Sequence, residues 1–295
     1  MEKIKATLHA HPHFYSPGHS KAIHESFYRI FFPIPNLRTI VESAFEKDIG
    51  IYALSSCHTP TSGTDNRFKD YMAELPELER KFEIDPHLDQ GWVAIAKKEK
   101  TQGLPHIILL HTQEVRTRHG NGYTDVNVIG SGNIINYEKT LEEVCDEQKD
   151  IGNITVLCHP NAGACSSGLE TAWKLYDSGK VTTIEEWNAS IPEKSNEETQ
   201  EFLMGRRIKG IAVSDSHHYK QSDKSYILIN KGLLENFSIE DLRRIICNGS
   251  FDNQYGQISR LERFATHELP ILTSIPFHLA SKPSAIIKSL ISRKK

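Results

Sequence analysis

Short apolar runs that alternate with helix-like segments constrain the fold of this 295-residue chain more than any other feature of its sequence. The runs have the length of buried strands, and the segments between them repeat apolar residues at helical spacing. Parallel strands joined by crossover helices produce this alternation, so the sequence predicts an α/β fold. The predicted strands are Ile4–Leu8, Ile51–Leu54, Ile107–Leu110, Val126–Ile129, Ile154–Cys158, Thr183–Trp187 and Ile208–Ser214.

The segment between Asn36 and Gly50 shows the helical pattern most clearly, because its apolar residues share one helix face and the glycine can end the helix. A chain of this length can form one large core or two modest ones, and we expect a single domain. Two connections, Phe14–Pro35 and Thr59–Pro105, are longer than a plain crossover needs and are expected to help roof a site. The predicted helices are Leu37–Lys47, Tyr137–Lys149, Leu169–Tyr176, Glu197–Arg206 and Ile239–Cys247.

Charge and cysteine content narrow the functional classes. A formal net charge of -3 provides no general surface for polyanions, so any nucleic acid would have to be held locally. The five cysteines are odd in number and include no CxxC pair, which predicts thiols in a reducing compartment rather than disulfides. No long apolar stretch follows Met1, so we expect no signal peptide, no membrane span and a cytoplasmic protein.

Residues of the types that bind metal ions follow the predicted strands. In a barrel of parallel strands, the carboxyl ends of all strands open on one face, so side chains far apart in sequence meet there. Imidazole nitrogen and carboxylate oxygen suit zinc, manganese or iron, and such mixed sets can hold two or three bridged ions. The sequence therefore predicts a metal site at this face. The candidate residues are His9, His11, Cys57 or His58, Glu114, His159, Asp215 and His217.

The spacing of the candidate residues supports metal binding by two pairs of them. Residues two apart in a strand point to the same side, so His9 and His11 can reach one ion, and Asp215 and His217 repeat the arrangement. A lone histidine, in contrast, is usually a surface residue or a satisfied core residue. The histidines placed in that class are His87, His106, His267 and His278.

Six short segments with candidate site residues follow one another along the chain. They are His9-Ala10-His11, Leu54-Ser55-Ser56-Cys57-His58-Thr59, Glu114, Cys158-His159-Pro160, Glu186-Trp187-Asn188 and Ser214-Asp215-Ser216-His217. This order resembles the successive motifs of the polymerase and histidinol phosphatase (PHP) family. The resemblance implies a distorted (βα)7 barrel of TIM-like shape, up to three metal ions, and hydrolysis of phosphoesters by a metal-activated water. It implies a PHP metallohydrolase domain over residues 1–270. Residues 271–295 form a tail, for which the sequence favours a short amphipathic helix packed on the domain.

The sequence departs from the family pattern at two ligand motifs. Ser16-Pro17-Gly18 lacks the aspartate of the family's Ser-Asp-Gly, and His13 or His19 could replace that ligand. The second motif also lacks its aspartate, so either Cys57 or His58 stands in the ligand register. We favour His58, because imidazole is the ligand type that the family uses.

A third departure is a further candidate metal ligand, and three other residues are expected to contact substrate. Asp125 stands where some family members carry a histidine, and its carboxylate can still bind metal. Arg116 and Arg118 follow Glu114, where they either bind a substrate phosphate or lie on a solvated loop. Asn188 ends a predicted strand and is expected to position substrate or water.

The resemblance implies a phosphomonoesterase acting on a small phosphorylated substrate. One alternative is a nuclease or phosphodiesterase for short oligonucleotides or nucleotides, whose groove would use the basic and aromatic residues of 14–38. A second alternative is a degenerate PHP module with a regulatory or scaffold role. The missing aspartates favour this second alternative, and the retained residues argue against it. The expected catalytic residues are His9, His11, Glu114, His159, Asp215 and His217.

Overall fold

The computed structural model describes residues 2–12, 35–59, 63–64, 67–99, 106–120, 122–163 and 165–265 of the chain. Within these ranges, twelve strands form one sheet that curves into a nearly closed barrel. The strands are β1 (Lys3–Thr7), β2 (Ile49–Thr59), β3 (Gly63–Thr64), β4 (Phe82–His87), β5 (Trp92–Lys97), β6 (His106–His119), β7 (Gly122–Ile129), β8 (Ile154–Leu157), β9 (Thr183–Asn188), β10 (Ile211–Val213), β11 (Tyr226–Asn230) and β12 (Asp252–Gln254). The helices are α1 (Leu37–Glu46), α2 (Arg67–Met72), α3 (Leu75–Leu78), α4 (Leu141–Ile151), α5 (Leu169–Asp177), α6 (Glu193–Gly205), α7 (Ile239–Cys247) and α8 (Arg260–Arg263).

The barrel contains two groups of parallel strands. β1, β2 and β6 are parallel neighbours, and so are β8, β9 and β10. β11 and β12 extend the first group beyond β1. The side chain of Asn253 in β12 then bonds to the backbone nitrogen of Ala212 in β10 and to the carbonyl of Gly210, each at 2.9 Å. The sheet therefore nearly closes on itself, and the predicted α/β barrel of TIM-like shape is confirmed.

β7 differs from the predicted pattern, because it runs antiparallel to both β6 and β8. Only residues 120–121 separate β6 from β7, whereas a parallel connection needs about a dozen residues or more. The chain turns back at Gly120, whose positive φ of 55° suits a tight turn. As a result, the beginning of β7 lies beside the end of β6, and Asp125 pairs with Arg116.

β6 is much longer than the predicted Ile107–Leu110 run, because two different strands share one of its edges. β5 pairs with its first half, ending at Trp92 and Leu110, and β7 pairs with its second half from Thr112 onward. The connection 59–105 therefore contains structured parts, including the β4–β5 hairpin. The other long connection, Phe14–Pro35, lies outside the described residues except for Pro35.

Capping side chains mark the starts of α1, α4 and α7. The side chain of Asn36 accepts a hydrogen bond from Thr39 N (2.8 Å) and begins α1, whose apolar face is buried against the sheet. A capping box between Thr140 and Glu143 begins α4 at Leu141 rather than at the predicted Tyr137. α6 begins at Glu193 rather than at Glu197, and α7 has its predicted bounds.

The predicted tail helix of residues 271–295 lies outside the described residues, as do His13 and His19. Every helix among the described residues is too short or too polar to span a bilayer. None of the five cysteines, all of which are described, forms a disulfide.

Candidate metal centre

Residues 9–11, which follow β1, are held by backbone pairing on both sides. On one side, Ser55 N donates to the carbonyl of Ala10 at 3.0 Å. On the other side, residues 9–11 exchange two backbone bonds of 2.8 Å with residues 215–216, which follow β10. These bonds extend the sheet past the ends of β1 and β10. They bring the two histidines of the first segment and the aspartate of the second to one end of the barrel interior.

The first donor group contains His9, His11 and Asp215. The Nε2 atoms of the two histidines lie 3.2 Å apart, and Asp215 Oδ1 lies 3.4 Å from the first and 3.5 Å from the second. Donors of a tetrahedral zinc site, each about 2.0–2.1 Å from the ion, are separated by about 3.4 Å. All three residues are buried. The spacing and chemistry of these donors therefore fit one divalent ion.

Glu114 connects this group to a second one. Its Oε2 lies 3.4 Å from His11 Nε2, and its Oε1 lies 3.4 Å from His159 Nε2. Asp125 Oδ2 lies 3.9 Å from the same nitrogen of His159, so Glu114, Asp125 and His159 form a second set of donors. A carboxylate that presents one oxygen to each set is suited to bridge two neighbouring ions.

Two donor residues have left-handed backbone conformations. The φ angle is 27° at His159 and 45° at Asp215. A non-glycine residue in this region costs about 1–3 kcal/mol and persists only where its surroundings fix it. Here the backbone nitrogen of Asp215 donates to His9 O (2.8 Å), and that of His159 donates to Glu185 Oε2 (2.8 Å). Strained residues tend to gather at functional sites, which agrees with the donor geometry.

The two donor groups together form one cluster of His9, His11, Glu114, Asp125, His159 and Asp215. The register of β2 corrects the choice of His58 as the residue that faces this cluster. Cys57 pairs with Glu114 of β6, and its Sγ lies 3.4 Å from Glu114 Oε2 and 3.5 Å from His11 Nδ1. Neighbouring residues of a strand point to opposite sides, so the fully buried His58 ring lies on the other side of the sheet. Burial, assisted by His111, lowers the pKa of His58 to about 4. Within the described part of the chain, neither of its ring nitrogens has a hydrogen-bond partner.

Asp125 reaches the cluster because β7 is antiparallel, but Arg116 contacts both of its oxygens. The guanidinium donates from Nε to Oδ1 (2.9 Å) and from Nη2 to Oδ2 (2.8 Å), which is a bidentate ion pair. Burial raises the pKa of Asp125, and Arg116 opposes that shift. Arg116 and Arg118 lie within β6 rather than on a loop, on the same side of the strand as Glu114, and Arg118 is exposed.

His217 lies beside the first donor group. Its ring stacks on that of His11, with centroids 4.6 Å apart and an interplanar angle of 6°. Its Nε2 lies 4.0 Å from Asp215 Oδ1. His217 therefore stands at the edge of the cluster rather than among its closest donors.

Glu185 is a residue of the site that the sequence motifs did not reveal. Its Oε1 accepts a hydrogen bond from His9 Nδ1 (2.7 Å), and its Oε2 accepts from His159 N (2.8 Å). This side chain is fully buried, whereas neighbouring Glu186 contacts Tyr255 and Gln200 away from the cluster. The available signal was the pair of adjacent glutamates in a strand, because alternation requires that one of them point inward.

Asn188, predicted to position substrate or water, contacts two carboxylates of the site. It is 1% exposed. Its Nδ2 donates to Glu185 Oε2 and to Asp215 Oδ2, each at 3.0 Å, so both amide hydrogens are used. Its Oδ1 accepts from Ser190 N (2.9 Å). The register between β9 and β10 shifts near this point, which lets Glu185 and Asn188 both reach the interior although they are three residues apart.

Opposite charges hold the cluster together. Burial lowers the pKa of His9, but the carboxylates of Asp215, Glu185 and Glu114 outweigh burial and raise it to about 10. The pKa of His159 is likewise raised to about 10 against the effect of burial. Burial raises the pKa of Glu114, yet the surrounding histidines bring it well below its ordinary value. A divalent ion would replace these protons as the positive charge that the buried carboxylates require.

Comparison with known proteins supports the fold. No family model and no curated protein matches the chain. PsfC from Pseudomonas syringae PB-5123 superposes with a TM-score of 0.51 at 12% identity, over 95% of this chain and 99% of PsfC. The lesion-specific endonuclease PfuEndoQ from Pyrococcus furiosus gives a TM-score of 0.48 at 14% identity, over 85% of this chain and 58% of the endonuclease. This chain and PsfC therefore share a fold.

Proposed function

We propose that this chain is a metal-dependent phosphoesterase that hydrolyses small phosphomonoesters, with two or three ions of zinc, manganese or iron in the cluster. The position of Glu114 between His11 and His159 carries the proposal, because one shared carboxylate sets two donor groups side by side. Bound ions would supply a water that is nucleophilic near neutral pH and would neutralise charge on the phosphoryl group. The proposed ligands are His9, His11, Glu114, Asp125, His159 and Asp215, with His217 as a further ligand at the edge of this set.

The protein's own groups around the donors support this proposal. Glu185 holds His9 through Nδ1, which leaves Nε2 directed into the cluster. Arg116 contacts Asp125 with one edge of its guanidinium while 34% of its side chain is exposed, and Arg118 is exposed on the same side of β6. These two arginines can therefore bind the non-bridging oxygens of a substrate phosphate beside the donors. Such a convergent set of donors supports an enzyme over a degenerate scaffold.

The test combines metal analysis with hydrolysis of p-nitrophenyl phosphate and bis(p-nitrophenyl) phosphate in zinc, manganese and iron. We expect bound metal and faster turnover of the monoester. Asp215→Asn should lose both metal and hydrolysis, and Arg118→Ala should keep its metal while KM rises. The matched control is Asp146→Asn, which removes an exposed carboxylate on α4 and should change neither property.

Three results would decide against the proposal as stated. Turnover of the diester alone would favour the phosphodiesterase or nuclease alternative. Bound metal without turnover of either ester would favour a scaffold role. An unchanged rate in Asp215→Asn would place the activity outside this cluster.

A further inference from the structure

Cys57 occupies a donor position of the cluster. Its half-buried Sγ lies 3.4 Å from Glu114 Oε2 and 3.9 Å from His11 Nε2, and these three residues form one set of potential ligands. A tetrahedral ion with a sulfur ligand at about 2.3 Å and nitrogen or oxygen ligands at about 2.0–2.1 Å separates those donors by about 3.6 Å. The two observed separations lie on either side of that value.

The surrounding strands fix the thiol at this place. Cys57 and Glu114 are direct partners in the parallel β2–β6 pair, so their side chains leave the sheet on the same side. Two residues earlier, the hydroxyl groups of Ser55 and Thr112 bond to each other at 2.7 Å and tie the same two strands together. His11 Nδ1 lies 3.2 Å from the carbonyl of Ser55, which leaves Nε2 as the ring nitrogen facing the donors.

The geometry points to Cys57 as a thiolate ligand of one ion, with His11 and Glu114 as further ligands of that same ion. This inference rests on the proposed metal centre and deepens it, because it names the class of metal. Thiolate is a soft ligand that favours zinc, cobalt or ferrous iron over manganese and magnesium, whereas the other donors are nitrogen and oxygen. On binding, the thiol proton leaves to solvent and the sulfur lone pair forms the bond to the ion. One ion position of this chain is therefore selective for softer metals.

Cobalt substitution tests the ligand without relying on activity. The full-length protein is loaded with Co²⁺ and its absorption spectrum is recorded. We expect visible d–d bands from the bound ion together with a near-ultraviolet sulfur-to-cobalt charge-transfer band. The charge-transfer band should disappear in Cys57→Ser while visible bands remain from the other donors. Cys247→Ser removes an exposed thiol on α7 and should leave the whole spectrum unchanged.

A second variant and a second measurement keep the test valid if Cys57→Ser does not fold. Cys57→Asp replaces sulfur by oxygen, and its preference for zinc over manganese should fall by roughly tenfold or more. X-ray absorption of the zinc-loaded wild-type protein should show a sulfur neighbour at about 2.3 Å, with no variant needed.

The outcomes separate the two proposals. Visible bands without a charge-transfer band in the wild type, or a charge-transfer band that persists in Cys57→Ser, would overturn the role of Cys57 and leave the metal centre standing. Failure to bind Co²⁺ or Zn²⁺ at all would overturn both.

Discussion

Single residues decide whether the donors of the cluster are held in place. Glu185 accepts a hydrogen bond from the ring nitrogen of His9 that faces away from the other donors. It also accepts a hydrogen bond from the backbone nitrogen of His159. A carboxylate in this position fixes the tautomer and the orientation of a histidine ligand and increases its basicity. Asn188 in turn ties Glu185 to Asp215. Through these contacts, one buried residue positions both donor groups.

Glu185→Gln tests this role at the level of metal affinity. The amide has nearly the same shape but lacks the negative charge, so we expect zinc affinity to fall about 10–100-fold, the usual effect of removing such a partner. Competition with a chromogenic chelator measures the change. Glu186→Gln is the matched control, because the adjacent carboxylate points away from the cluster toward Tyr255. Equal losses of affinity in both variants would contradict the positioning role.

The sequence could indicate the donor residues because their types and their places after apolar runs are visible in one dimension. It could not decide between Cys57 and His58, since that choice depends on which residue of β2 lies opposite Glu114 of β6. The contacts of Asn188 could not be predicted for a related reason. Its partners Glu185 and Asp215 come from different strands, and only the fold shows that its amide is already used.

At the scale of elements, β6 is the strand that organises the site. Its edge is shared by β5 and β7, and the change of partner occurs at His111, whose backbone bonds to Gly91 and Gly130. The His111 ring adds a bond from Nδ1 to the carbonyl of Ser131 (2.6 Å) and stacks on Phe68. Beyond this junction, β6 continues as a strand to Glu114 and Arg116.

His111 should make the stability of the protein depend on pH. Burial lowers its pKa from 6.5 to about 4, so the folded chain keeps the ring neutral where the unfolded chain takes up a proton. The unfolded state therefore binds more protons between these values. The free energy of unfolding should fall as pH falls from 6.5 to 4, by up to about 3 kcal/mol, and this contribution should not change further below that range.

Urea unfolding across this pH range, compared between the wild type and His111→Gln, measures the effect. The variant should lose stability less steeply with acid, whatever its stability at neutral pH. The control is His87→Gln, a change at a partly exposed ring in β4. Parallel stability curves for the wild type and His111→Gln would contradict the assigned cause.

The elements themselves were predictable to different degrees. Strands and helices with strong apolar periodicity, such as α1 and α7, lie close to their predicted bounds. The direction of β7 was not predicted, because a short apolar run carries no sign of its orientation and the hairpin at Gly120 is weak in sequence. The β4–β5 hairpin was missed because Thr59–Pro105 is mostly polar, which is typical of a connection.

At the scale of the whole molecule, closure of the barrel creates the site. The donors come from the segments after β1, β8 and β10 and from within β2, β6 and β7, and they meet only because the sheet curves around to bring residues 9–11 against residues 215–216. None of these segments holds the complete donor set by itself. The proposed metal centre and the closed form of the barrel should therefore stabilise each other, because ions that bind only the folded state add to its stability.

A crystal structure of the protein soaked with zinc, with anomalous scattering recorded at the zinc edge, shows directly whether the donor groups bind metal ions. We expect anomalous peaks at the end of the barrel interior, about 2.0–2.3 Å from the donors. One peak should touch His9, His11 and Asp215, and a second should share Glu114 with His159. If peaks at saturating zinc lie only at other sites, or if none lies within bonding distance of these side chains, the chain has no metal centre at this end of the barrel.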